Sequence, residues 1–222
     1  MIRYYIDSID LSSLGITVSQ AKGLFGLPKV KNALTISYPN RHGILVDLAN
    51  PIYDVRSIEL HCHLSASTRM EFLIRTNELV TTLFAKPNLR ELRIDYDSQK
   101  PLFYYVYPND GIAIERESKW DASRQLGQFT LKLLEPEPLK RVFIFEADNV
   151  QNSRHIQLAF DEPNQQFTVY WGDGSYDVVR AGSQIEHEYS TDGRYYISIV
   201  GMVNDIGSLT ASQNLVVLWN LL

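Results

Sequence analysis

The chain has one cysteine, Cys62, in 222 residues. No intrachain disulfide can form, so the fold needs no oxidising compartment. Long apolar runs are missing as well. The nearest candidate, Leu215 to Leu222, is eight residues interrupted by Asn220, far short of the ~20 needed for a membrane span. The first residues, Met1 to Asp7, meet an acid at once and lack the apolar core of a signal peptide, which predicts synthesis and folding in the cytoplasm. The Gly-x-x-x-x-Gly-Lys-Ser/Thr phosphate loop, the dinucleotide fingerprint, the Gly-x-Ser-x-Gly elbow and the His-Glu-x-x-His helix are all absent. No catalytic residue, cofactor or metal is therefore assigned, and catalysis is not expected. Glu115 and Glu117, posed as a hydrolase pair, flank Arg116 on one strand and read as a solvated face.

Basic residues are scarce in one part of the chain. Residues 1–140 hold seventeen Lys and Arg against sixteen Asp and Glu, whereas residues 141–222 hold four against ten, out of an overall net charge of −5. The asymmetry predicts two modules, 1–140 and 141–222, the second acidic and unsuited to phosphate backbones, so nucleic acid is not an expected partner. Apolar residues make up 45% and charged residues 21%, ordinary values for a globular protein.

Strand signals dominate. In the first module Ile2–Ile6, Ile44–Asp47, Tyr53–Leu64, Leu89–Tyr96, Pro101–Tyr107, Ile112–Glu117 and Gly127–Leu134 read as strands separated by turns. From Ser57 to Leu64 the alternation is strict: Ile58, Leu60, Cys62 and Leu64 share one face, Glu59, His61 and His63 the other. Glu-x-His-x-His on one strand face could ligate zinc. No companion Cys-x-x-Cys or His-x-x-x-His accompanies it, and a half-exposed strand places polar residues outward in any case. The exception to the strands is one helix, expected from about Thr68 to Ala85. Thr68 or Ser67 can cap it, Glu71 stands at the capping-box spacing, and Pro87 and Asn88 stop it. Its apolar residues, Met70, Leu73, Ile74, Leu79, Val80, Leu83 and Phe84, are expected to face the sheet as core. Val18–Asn32, with Lys22, Lys29 and Lys31 among Gly23, Gly26 and Pro28, reads as an extended surface arm or hairpin.

The order Pro39-Asn40-Arg41-His42-Gly43, Tyr53 to Leu60, the helix with Asn77-Glu78-Leu79, Leu89 to Asp95, Tyr104-Tyr105-Val106-Tyr107 and Gly127 to Pro136 resembles the N-terminal domain of phage distal tail proteins, over roughly residues 1–140. The resemblance implies a tail-tube-like β-sandwich with a single helix, six copies of which close into a hub ring between tail tube and tip. It implies as partners the chain itself and other tail proteins (tube, tape measure or tip), and the virion tail as location. The Val18–Asn32 arm, with Lys22, Lys29 and Lys31, is then the candidate oligomer contact.

Glu135-Pro136-Glu137-Pro138 reads as a linker. Beyond it, Ile156, Leu158 and Phe160, then Phe167, Val169 and Trp171, alternate with polar neighbours. Short strands at 176–180, 185–189 and 195–199 follow, as in an antiparallel sandwich. Trp171-Gly172-Asp173-Gly174-Ser175, His187-Glu188-Tyr189 and Gly193-Arg194-Tyr195-Tyr196-Ile197 closely resemble the polycystic-kidney-disease (PKD) type of immunoglobulin-like domain, over about residues 142–219. Trp171 is the expected core anchor, Asp173 an acceptor within its turn, and Tyr189 a tyrosine-corner hydroxyl. Asp173, Asp177 and Glu186 lack the ordered Asp-x-Asp-x-Asp-Gly calcium pattern. The fold class expected is mainly β with one long helix: a tail-tube-like sandwich followed by an immunoglobulin-like one. Two functions fit it: a structural hub-ring subunit of a phage tail tip, or a module recognising a host glycan or protein through the second domain. For the latter, Tyr176, Tyr196 and Trp219 are the candidate stacking aromatics.

Overall fold

Alternation in the sequence becomes pairing in the structure. The computed structural model describes residues 2–31, 35–46, 51–97, 100–116, 124–149, 153–161, 166–180 and 184–220. It divides into two units, Met1–Pro136 and Glu137–Leu222.

In the first unit the elements run β1 (Arg3–Ile6), β2 (Ile9–Asp10), β3 (Ile16–Lys22), β4 (Thr35–Ile36), β5 (Leu45–Val46), β6 (Arg56–Ala66), α1 (Arg69–Phe84), β7 (Arg90–Asp95), β8 (Leu102–Pro108), β9 (Glu115–Arg116) and β10 (Gln125–Glu135). The main sheet has the order β2-β1-β7-β8-β10-β6-β3, with β9 paired to β10. Its spine is the antiparallel β6–β10 pair. Cys62 faces Phe129, Leu60 faces Leu131, and Ile58 faces Leu133. All six are buried, because a two-residue period sends every second side chain to the core. β8 abandons the alternation: Leu102 to Val106 are buried without a break, as in a strand covered on both faces.

The helix begins as the capping residues predict. The Thr68 hydroxyl accepts the Glu71 amide at 3.1 Å, and the Glu71 carboxylate accepts the Ser67 amide at 2.8 Å. It packs against β6 and β8. A Cβ at Gly127 would come within 2.9 Å of the Phe72 ring, so glycine leaves room for the helix to approach. The expected core stripe is corrected here. Only Leu79 and Leu83 of the seven apolar residues are buried; Met70, Leu73, Ile74, Val80 and Phe84 face outward. At 100° per residue the two sets lie roughly 130° apart, on different sides of the helix.

Three further expectations are corrected. Residues 18–22 are not arm but the outer half of β3, hydrogen-bonded to β6. The strand expected at Ile112–Glu117 is confined, among the described residues, to Glu115 and Arg116, and Glu117 lies outside them; so does Asp47, beyond β5. Glu135 is not linker but the buried last residue of β10.

The second unit contains β11 (Lys140–Ala147), β12 (His155–Phe160), β13 (Phe167–Tyr170), β14 (Tyr176–Val179), β15 (Gln184–Glu188), β16 (Gly193–Gly201), β17 (Leu209–Ala211) and β18 (Val216–Asn220). A five-stranded sheet, β14-β13-β16-β11-β18, and a three-stranded one, β15-β12-β17, contribute to one core. Trp171 lies in that core, fully buried, and its Nε1 donates to Asp177 at 2.7 Å. The Tyr189 hydroxyl donates to the Trp171 carbonyl at 2.9 Å. Gly172 has φ 84°, and a Cβ there would sit 2.6 Å from the Tyr196 carbonyl oxygen, so no other residue fits the turn.

Candidate interaction surfaces

The arm leaves the main sheet at Gly23, just after β3. Its φ is 78°, and a Cβ would lie 1.9 Å from the Ser57 carbonyl oxygen, so glycine is required for the chain to turn away from β6. Leu24 is buried immediately after, and its carbonyl accepts the Tyr104 hydroxyl at 2.6 Å. Arg56, opposite Glu135 in the β6–β10 register, forms a buried ion pair with it at 2.9 Å. The same guanidinium donates to the Gly26 carbonyl at 2.8 Å and lies over the Tyr104 ring. Glu135 also accepts the Tyr105 amide at 3.3 Å. This buried network fixes the direction in which residues 23–26 leave the sheet.

Beyond Gly26 the support ends. The Lys31 amide donates to the Ile52 carbonyl at 2.7 Å and the Asp54 amide to the Lys29 carbonyl at 2.8 Å, around a bridge between Val30 and Tyr53. β4 and β5 continue the ribbon as a separate two-stranded sheet, Thr35 opposite Val46 and Ile36 opposite Leu45. Every residue from Thr35 to Val46 is exposed, among them Ile36, Tyr38, Ile44, Leu45 and Val46. An isolated hairpin is marginally stable at best in water. The sequence from Leu11 to Val46 contains no acid and four bases, Lys22, Lys29, Lys31 and Arg41. Of the three lysines singled out from sequence, Lys29 and Lys31 lie exposed on the ribbon. Lys22 belongs to the sheet, 4.0 Å from Glu59.

The polar face of β6 and β10 bounds an open trough of about 520 Å³ lined by His61, His63, Asp110, Gln128, Thr130 and Lys132, among others. His61 Nδ1 lies 3.1 Å from the Thr130 hydroxyl, and Lys132 pairs with Asp110 at 3.3 Å. Cys62 points the other way, into the core, where burial pushes its thiol up to about 12. It is therefore a packed apolar side chain rather than a nucleophile. No cluster of three or more metal-ligating side chains occurs among the described residues. None of their helices is long and apolar enough to cross a membrane.

In the second unit the three singled-out aromatics share one sheet face. Tyr176 pairs with Tyr170, Tyr170 with Ser198, Ser198 with Val142, and Val142 with Trp219, a single row across five strands. Tyr196 lies two residues from Ser198, on the same side. Tyr176 is exposed and Tyr196 and Trp219 half-buried, but Ser198 and Val142 between them are fully buried. The row is thus interrupted rather than an open aromatic platform. On the other side of the turn, Asp173 accepts the Ser175 amide at 2.9 Å and contacts His187 Nε2 at 2.8 Å. Partial burial raises its pKa, but these hydrogen bonds outweigh it and hold the carboxyl below its ordinary range. Asp177 is engaged by Trp171 and Glu186 by Gln157, so the three acids considered for calcium are each committed elsewhere.

Three comparisons bear on identity. The family model described as phage tail protein RIFT-related domain matches residues 9–134, more than half of the chain. No curated protein matches. Among solved structures the chain is similar to the Dit (gp 19.1) protein of SPP1, titled a paradigm of the hub adsorption apparatus in phages infecting Gram-positive bacteria. The identity is 12% and the TM-score 0.48, covering 88% of this chain and 78% of that one.

Proposed function

The chain belongs to the phage tail protein family defined by the RIFT-related domain, and on that premise we propose that it is a hub-ring subunit joining the tail tube to the tip. Its role is structural rather than catalytic. Its partners are further copies of itself and neighbouring tail proteins, and its place is the virion tail. The observation that carries the ring reading is the ribbon 27–53. Its root is fixed by a buried ion pair, while its distal hairpin exposes five large apolar side chains that its own subunit leaves uncovered. A part rigid at the base and unsupported at the tip is what a neighbouring subunit completes. Six copies is the stoichiometry that the resemblance to distal tail proteins implies.

The second unit is, in this reading, a PKD-type immunoglobulin-like domain carried by the ring. Host recognition is the alternative, and it is favoured only by Tyr176, exposed at the sheet edge beside Tyr170 at 5.7 Å between ring centroids. With the ring closed, six such edges would raise a weak affinity through avidity.

Light scattering across a concentration series, with negative-stain images of the heaviest species, tests the ring. Closed rings of about six subunits are expected. Replacing residues 27–53 by a short linker, which spares β3 and buried Leu24, should leave a folded monomer. A truncated chain that assembles as the full chain does would overturn the role of the ribbon.

A further inference from the structure

We infer that the outer face of α1 is the seat for the 35–46 hairpin of a second copy of this chain. The inference rests on the ring reading and names the surface that the ribbon engages. Met70, Leu73, Ile74, Val80 and Phe84 form one row along the helix, Met70 at 66% and Leu73 at 63% exposure. Together they present on the order of 450 Å² of apolar surface, the size of a functional patch and more than half of the ~800 Å² each partner contributes to a standard interface. The hairpin supplies a similar set of large apolar residues, Ile36, Tyr38, Ile44, Leu45 and Val46.

Dimensions agree. Sixteen helical residues span about 24 Å, and a hairpin limb of four residues, Thr35 to Tyr38 before the turn closed by the Arg41 amide on the Tyr38 carbonyl, about 13 Å, so the helix is long enough to seat the hairpin along its face. Charge agrees too. From Leu27 to Val46 the ribbon carries Lys29, Lys31 and Arg41 and no acid, while Glu78 is exposed beside Ile74 on one rim of the helix face. The contact can be exchanged reciprocally within a two-fold dimer or run head to tail, and the ring reading takes the second arrangement. Head to tail it is heterologous, and a heterologous contact closes into a ring when its rotation fits. Each subunit then gives a hairpin to one neighbour and a helix to the other. Both exposed apolar surfaces are covered without a new element.

The test is cross-linking of the full chain carrying Ile44→Cys and Leu73→Cys. Cys62, at 2% exposure, stays out of the reaction. A covalent ladder ending at the closed ring, formed by the double-cysteine chain and by neither single-cysteine chain, is expected. In parallel, Leu73→Glu/Ile74→Glu and Ile36→Glu/Ile44→Glu alter exposed side chains only. Each should stay folded while weakening assembly by on the order of 100-fold. Dimers from one single-cysteine chain would overturn the pairing, as would an assembled double-cysteine chain that gives no ladder. If the helix-face variant assembles normally while the ribbon truncation does not, this seat is wrong and the ring reading stands. A wild-type chain that is monomeric at every concentration overturns both.

Discussion

Replacing Arg56 by Met should cost the first unit about 3–5 kcal/mol, the range for removing one partner of a buried ion pair. Arg56 is 4% exposed and Glu135 0%, at 2.9 Å. Without the guanidinium, the Glu135 carboxylate loses its cationic partner in a site where water cannot compensate, while the Tyr105 amide still donates to it. The pair itself is not worth that much. One guanidinium nitrogen, Nη2, is buried without a partner, so part of its desolvation is never recovered. The double variant Arg56→Met/Glu135→Met should therefore recover most of the loss. It would remain about 1–2 kcal/mol below wild type, because the Tyr105 amide loses its acceptor. Hydrogen exchange of β6 and β10 amides reports this unit alone, which bulk unfolding of a two-unit chain does not. The single variant should lose about two to three and a half orders of magnitude of protection at 1.4 kcal/mol per decade. The double variant should lose about one. If the single variant lies within tenfold of wild type, or the double is no better than the single, the network is not what holds the root of the ribbon.

Two further outcomes follow from one partly buried carboxyl and one buried hydroxyl. Burial pushes the Glu91 carboxyl up to about 7, against the pull of Arg93 and with the help of Asp7. The folded state therefore keeps its proton longer than the unfolded one, and between roughly pH 4.5 and 7 stability falls as pH rises, by up to about 3 kcal/mol in all. Hydrogen exchange of the β7 and β8 amides at pH 5 and pH 8, corrected for intrinsic exchange, should show that loss in wild type and not in Glu91→Gln, and equal losses in the two would refute it. In the second unit, Tyr189→Phe leaves the buried Trp171 carbonyl without its 2.9 Å donor. A loss of about 1–2 kcal/mol in the hydrogen-exchange protection of the β13 and β16 amides is expected, and no change would refute the bond's role.

What the sequence revealed was set by local periodicity. The alternation of Ile58 to Leu64 needed only a two-residue period to be read, and the structure buries those residues. The Trp171 turn was legible because its glycines and Asp173 act within a few residues of one another. The Arg56–Glu135 pair was not legible, because its members are 79 positions apart and meet only through the β6–β10 register. A signal did exist. Arg56 is in phase with Ile58 and Leu60, and Glu135 with Leu133 and Leu131, so two charges stand at core positions. The Pro136-Glu137-Pro138 punctuation drew Glu135 into the linker instead. In β8 the absence of alternation carried the message, since five buried residues in succession mark a strand covered on both sides.

The helix shows where periodicity stops being sufficient. Seven apolar residues at intervals of three and four read as one broad stripe, and a stripe reads as core. Leu79 and Leu83 are core, but the row from Met70 to Phe84 points away from it. A helix packed once needs only one apolar side; a second costs solubility and is retained where something covers it. Hydrophobic periodicity records that a face avoids water, not whether the same subunit or the next one excludes it. For a ring-forming subunit these are the same physical demand, met by different copies of one sequence. The distinction is therefore invisible along the chain and becomes visible only when the subunit's own contacts have been assigned and an apolar face is left over.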